Sequence, residues 1–272
     1  MLRFHTAGGI VTGTFAFGLM FSTSLSFAAD IGPGCIPAVS GLNGKLDAAA
    51  GYLEDNDNSG GRFQGVATLS MPIGCLLGAQ IDLGGGDLDG DGYFSAQGHL
   101  FIRDPSSYLL GVQAQYVDLS GDDIFRVGPE FELYLDNITF SGVASFETAN
   151  NNLLDDGFVG GLQAAFYATE NFALTAGYRH FLSTDAGAIG FEYQPESLPG
   201  SIYADAMFGS DNYLSIVGGV RFYFGGEEKS LIRRHREDDP WNLMLWLRHA
   251  DVVSDDPTCD NDPETPLPYC KD

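Results

Sequence analysis

The chain has 272 residues and a formal net charge of −24, from 37 acidic against 13 basic side chains. That balance leaves no broad basic surface to neutralise phosphates, which argues against nucleic acid as a partner. The 4 cysteines lie in a chain that opens with an export signal, which suggests two disulfides.

Residues 1–28 carry Arg3 as a charged start, an apolar run over 15–20, and Ser26-Phe27-Ala28 as a small-residue cleavage site. A membrane anchor is the alternative, but Gly and Thr interrupt the run and it is short for a span. No later stretch approaches the ~20 apolar residues of a spanning helix. Residence in a membrane therefore requires a closed barrel, where every backbone polar group is paired. Residues 29–44 are a Gly/Pro-containing lead-in with Cys35, expected in the periplasm.

From Lys45 onward alternating apolar and polar residues predict twelve strands, at 45–54, 62–72, 76–84, 93–103, 108–117, 123–134, 138–147, 157–167, 172–181, 187–194, 202–209 and 213–224. The connections after even runs are mostly tight. Those after odd runs (55–61, 85–92, 118–122, 148–156, 182–186, 210–212) read as longer and more acidic loops. Short periplasmic turns and longer outer loops are what membrane barrels show, and an even strand count puts both barrel ends in the periplasm.

One parity of these runs carries Phe94, Leu100, Val112, Phe125, Phe131 and Phe166. The other carries His99, Arg103, Gln113, Gln115, Arg126, Glu130, Glu132, Glu147, Arg179, Glu192, Asp205 and Arg221, the candidate lumen-lining residues. A soluble ligand-binding barrel would turn the apolar parity inward. Aromatics gathered near run ends and a charge-rich opposite face favour lipid outside and a polar filling within. The last run, 213–224, alternates strictly and ends on aromatics. Gly219, Phe222 and Phe224 sit where the closing strand of outer-membrane barrels carries its assembly signal, while Val217 stands where that signal usually begins with a polar residue.

With the export signal, the aromatic alternation and this closing strand, residues 45–224 resemble the porin-like, opacity-type outer-membrane β-barrel proteins of Gram-negative bacteria. The resemblance implies an all-β, transmembrane, antiparallel up-and-down barrel in the cell outer membrane. It implies outer-membrane lipids, lipopolysaccharide and the barrel assembly machinery as partners, and brings no catalytic motif and no cofactor. The periplasmic placement of the even turns puts Cys75 on the same side as Cys35, so the expected disulfides are Cys35–Cys75 and Cys259–Cys270.

Residues 225–272 differ in kind and are expected as a periplasmic extension. Lys229, Arg233, Arg234 and Arg236 form a basic cluster that most simply meets the inner-leaflet headgroups. A tail folding up to plug the lumen is the sharper alternative. Asp87, Asp89 and Asp91 are spaced like the first half of an EF-hand loop and would hold calcium weakly, since Gly98 replaces the closing Glu. His180 near Ser183 is the one place for a lipid hydrolase; a rim histidine is the ordinary reading. The sequence thus points to a porin-like channel for passive passage of small hydrophilic solutes, with a cation preference from its carboxylate excess. The alternative is a non-conducting envelope barrel that binds a partner through loops or tail.

Overall fold

The computed structural model describes residues 36–55, 58–149, 157–210, 212–244 and 246–247. Twelve strands form: β1 (Asn43–Asp55), β2 (Asn58–Ile73), β3 (Leu77–Leu88), β4 (Asp91–Asp104), β5 (Tyr108–Leu119), β6 (Asp122–Leu135), β7 (Ile138–Ala149), β8 (Gly157–Thr169), β9 (Phe172–Phe181), β10 (Thr184–Tyr193), β11 (Gly200–Gly209) and β12 (Leu214–Gly225). Each pairs antiparallel with its chain neighbours, and β1 pairs with β12 from Asn43↔Gly225 to Glu54↔Leu214. The sheet therefore closes into a barrel without free edges, the condition for crossing lipid with strands. The end holding Asn43 and Gly225 is here the proximal end; the opposite end is distal.

The period-two pattern decides which side chains face out. Phe125, Phe166 and Phe222 are among many large apolar residues left exposed on the outer wall. Phe131 lies on the same parity, half covered because its ring sits over Gly142, where a Cβ would collide with it. Such a continuous apolar outer surface around a polar interior is the reverse of a soluble barrel.

Three of the odd-numbered connections are tighter than the loops expected of them. Asp89-Gly90 (φ 54° and 99°), Ser120-Gly121 (52° and 97°) and Leu182-Ser183 (46° and 59°) are two-residue turns with both φ positive, which is type I′ geometry. Strand pairing continues through the acidic stretches instead of stopping at them; Gly86, for instance, stands opposite Gln64 and Tyr93. Acidic composition was mistaken for loop because Asp and Gly are poor strand formers on their own, while pairing on both sides overrides that preference.

At the proximal end Gly225 and Gly226, both at positive φ, turn the chain out of β12. It runs into a helix of about two turns, α1 (Leu231–Glu237), which lies across the mouth. Leu231 packs with Ala165, Tyr167 and Ala173 of β8 and β9, and its amide donates to Asn171 Oδ1 at 3.1 Å. Ala38 and Val39 pack with Phe101, Leu109 and Tyr134 at the same end. The lead-in, expected wholly outside the barrel, thus tucks its last residues into the mouth.

Candidate functional site

All twelve sequence-predicted lumen residues point into the bore, where charges survive only if paired. Arg126 Nε donates to Glu147 at 2.7 Å and a terminal nitrogen to Gln115 at 3.0 Å. Arg179 grips Asp205 with two bonds of 2.9 and 2.8 Å. Arg221 bridges Asp47, at 3.0 and 3.1 Å, to Glu192. His99 lies between Glu130, 2.7 Å from Nδ1, and Asp82, 3.3 Å from Nε2. Gln97 donates to Gln113 at 3.1 Å, Gln113 to Ser145 at 2.6 Å, and Gln115 to Ser95 at 3.0 Å. Arg103 lies over the Phe101 ring, 4.7 Å from its centroid, and Glu132 accepts from Tyr134 Oη at 2.8 Å. The strands before β4 add Lys45, Asp47, Arg62 and Asp82 to this lining, which sequence reasoning missed although they share the same parity.

The bore is not open, because the C-terminal segment occupies it. Trp241 N donates to Glu132 at 3.0 Å, three residues from the proximal end of β6. Leu243 N donates to Gln97 at 3.1 Å, halfway along β4. The Trp246 carbonyl accepts from Arg126 at 3.2 Å, and the Leu247 carbonyl from Tyr213 Oη at 3.0 Å, both towards the distal end. Trp246 is among the largest fully buried side chains; it stands 6.0 Å from the Phe181 ring and 5.2 Å from Trp241, with the Arg179 guanidinium 5.7 Å from its centroid. Gly161 makes the space, since a Cβ there would come 2.5 Å from Trp246 Cη2. Around the distal end Leu53, Leu88, Leu119, Ile124 and Met207 point inward and cluster with Leu243, Trp246 and Leu247.

A tail wholly in the periplasm is therefore corrected for these residues, and so is a basic cluster at the headgroups. Lys229 binds Asp238 at 2.7 and 2.8 Å and also reaches Ser40. Lys45 pairs with Asp239. Arg234 donates to Gln194 at 3.1 Å and lies 4.3 Å over Tyr223, while Arg236 donates to the Ile138 carbonyl at 2.9 Å. His235 stands 3.3 Å from Glu192 and 2.9 Å from Tyr167 Oη. Arg233 alone of the cluster is half exposed, paired with Glu237 at 2.6 Å. Between the tail and the wall formed by β6 to β12 and β1 a cavity of ≈ 150 Å³ remains, lined among others by Arg179, Glu192, Arg221, His235, Trp241 and Trp246.

The remaining candidates resolve differently. Asp87, Asp89 and Asp91 flank a tight hairpin in which Asp87 accepts from Gly90 N at 2.8 Å. Among the described residues no group of three or more potential ligands is placed to hold a metal. His180 Nδ1 lies 2.8 Å from Asp185, and its ring stacks on Phe158 at 6.3 Å. No hydrogen bond joins it to Ser183, so the nucleophile–base contact of a hydrolase is not formed. Gly219 faces inward beneath the Tyr203 ring and Phe222 faces out. Phe224 lies over Gly44 of the first strand. Cys35, Cys259, Cys270 and residues 1–28 lie outside the described residues. Ala38 N donates to the Cys75 carbonyl at 2.9 Å, which brings the chain three residues past Cys35 beside Cys75.

No family model and no curated protein matches the chain. Among solved structures it is similar to the KdgM porin in complex with disordered oligogalacturonate, with 8% identity over 66% of this chain and 99% of that one and a TM-score of 0.53. It is also similar to the KdgM porin, at 7% identity, 66% and 99% coverage and a TM-score of 0.52. The COG4313 outer membrane channel from Pseudomonas putida F1 aligns at 9% identity over 72% and 99%, with a TM-score of 0.49. Identities this low establish the fold alone, a closed antiparallel up-and-down β-barrel.

Proposed function

We propose that this chain is an outer-membrane channel for small hydrophilic solutes whose bore is closed, in the conformation described, by its own C-terminal segment. The observation that carries the reading is the charged wall behind the plug. Arg126, Arg179 and Arg221 with their carboxylates form a lining suited to water, and a barrel needing only to be filled gains nothing from desolvating it. In this reading the proximal end faces the periplasm, the outer wall meets lipid and lipopolysaccharide, and the closing strand is what the assembly machinery receives. The bore presents Asp47, Asp82, Glu130, Glu132, Glu147, Glu192 and Asp205 against Lys45, Arg62, Arg103, Arg126, Arg179 and Arg221. That slight carboxylate excess supports a weak cation preference once the tail is displaced.

The second reading, a non-conducting envelope barrel, is favoured by the apolar layer that seals the distal end around Trp246. Planar-bilayer recording separates the two. The full chain is expected to be silent or to open rarely, and a folded barrel ending at Ser230 to give steady unitary steps. Changing Glu130 and Glu132 to Gln in the shortened chain should move the reversal potential towards anions. A folded, shortened barrel that never conducts removes the channel reading and leaves the second.

A further inference from the structure

The cavity beside the plug has one side made by the tail and the other by the wall. The tail contributes Trp241, Asn242 and Trp246, while β7, β8 and β9 contribute Ser141, Gln163 and Thr175. The ≈ 150 Å³ open to the centres of waters corresponds to about ten of them at ~15 Å³ each. As liquid that is about 300 Å³, the lower end of small-molecule sites. We propose that this cavity is a binding site for a neutral polyhydroxylated solute of monosaccharide size, held between the tail and the wall. The inference rests on the closure by the tail proposed above, and not on conduction.

Charge decides the class of solute. Arg179 holds Asp205 with two bonds, Arg221 holds Glu192, Lys45 holds Asp239, and Glu132 accepts from Tyr134 Oη and from Trp241 N. A solute of either net charge would have to draw one of these ions from its partner and leave the other buried without one. A hydroxyl needs no such exchange, because it donates to a spare carboxylate lone pair and accepts from an N–H at once. Two residues of the lining carry unmet atoms of opposite kind: Arg179 Nε, a donor, and Asp239 Oδ1, an acceptor, have no hydrogen-bond partner among the described residues. The other requirement of a sugar ring is an apolar face. Trp241 and Trp246 supply it, with ring centroids 5.2 Å apart and planes at 69°. An aromatic face carries partial negative charge and takes the partly positive C–H groups of a pyranose. An inorganic ion would use only the polar part of this lining, and an alkyl solute only the aromatic part. A solute bound here touches tail and wall together, so by mass action it also holds the tail in its docked position.

Both of the chain's 2 tryptophans line the cavity, which makes the site readable without a label. The full chain, folded in detergent micelles, is titrated with glucose, galactose and mannose while tryptophan emission is recorded. Glucosamine and glucuronate serve as the charged counterparts. A saturable change is expected with at least one neutral sugar, and binding of both charged ones on the order of tenfold weaker or more. The bound sugar should also protect the tryptophans further from acrylamide. Thr175→Phe, which fills the cavity from β9, is expected to abolish the response while the tryptophans stay shielded. No saturable change from any of the three neutral sugars, with the tryptophans shielded, overturns the site and leaves the closure standing. Equal or tighter binding of a charged sugar overturns it as well, as does a response in Thr175→Phe equal to the parent's. Tryptophans open to acrylamide before any sugar is added overturn the closure itself, and the site with it.

Discussion

Glu237 closes the last turn of α1 and ties the base of the tail together through Arg233, at 2.6 Å, and Lys229, at 3.2 Å. Burial alone would raise its carboxyl, but the Arg233 hydrogen bond and the Lys229 charge outweigh that and hold it below the ordinary carboxylate range. A carboxyl depressed in the docked state contributes stability that is fully present above its free value, about 4.3. That contribution is lost as pH falls through the depressed value. Docking of the tail is therefore expected to be level from neutral pH down to about 5 and to loosen below about 4, with Glu237→Gln weaker at neutral pH and flatter in acid. Tryptophan quenching against pH reads this. A transition centred near pH 6.5 would point to histidine instead.

At the scale of elements, β12 is the strand on which closure depends, and its inward glycine is a packing position. A Cβ at Gly219 would stand 2.6 Å from Tyr203 Cζ and 2.8 Å from the Ala48 carbonyl, and Tyr203 is itself covered by Arg221, 4.4 Å over its ring. The Ala48 carbonyl is backbone in the β1–β12 seam and cannot step aside without disturbing it, and the Tyr203 ring could move only by leaving the Arg221 guanidinium. Gly218, one residue earlier, faces out and would find its nearest atom at 3.9 Å. Gly219→Val is expected to cost about 1–3 kcal/mol, in the range of overpacked sites, and to lower the folded fraction seen as heat-modifiable migration on gels. Gly218→Val should leave that fraction near the parent's; equal losses at both would assign the effect to strand propensity.

The strands were legible because alternation is imposed by the pleat itself, and each of the twelve runs overlaps its observed strand. Their distal ends were not, because glycine and aspartate in stretches such as 85–92 read as loop while both neighbours hold them in register. The plug stood only as the alternative reading of the tail for a related reason. The inward parity looked uniformly polar when its charged members were singled out, although Leu53, Leu88, Leu119 and Ile124 on that same parity form an apolar ring at one level. A ring of inward apolar side chains in a polar bore needs an apolar occupant, and the run at 241–247 was the complementary piece. Lys45, Asp47, Arg62 and Asp82 lie on the inward parity of β1 to β3, where glycine and alanine dilute the alternation.

The whole molecule is a cylinder with an apolar outer wall and a charged bore, closed proximally by α1 and the lead-in and distally by an apolar layer around Trp246. Both of the chain's 2 tryptophans belong to the plug, so the native protein carries its own reporter of where that segment lies. The direct measurement is tryptophan fluorescence of the folded protein in bilayers, challenged with acrylamide in the water and with brominated acyl chains in the lipid. Blue-shifted emission, acrylamide quenching several-fold weaker than in the unfolded chain, and little quenching from the lipid are expected. Ready quenching by acrylamide would place the segment in solvent, and ready quenching by brominated lipid would place it against the membrane; either would contradict a bore closed by its own tail.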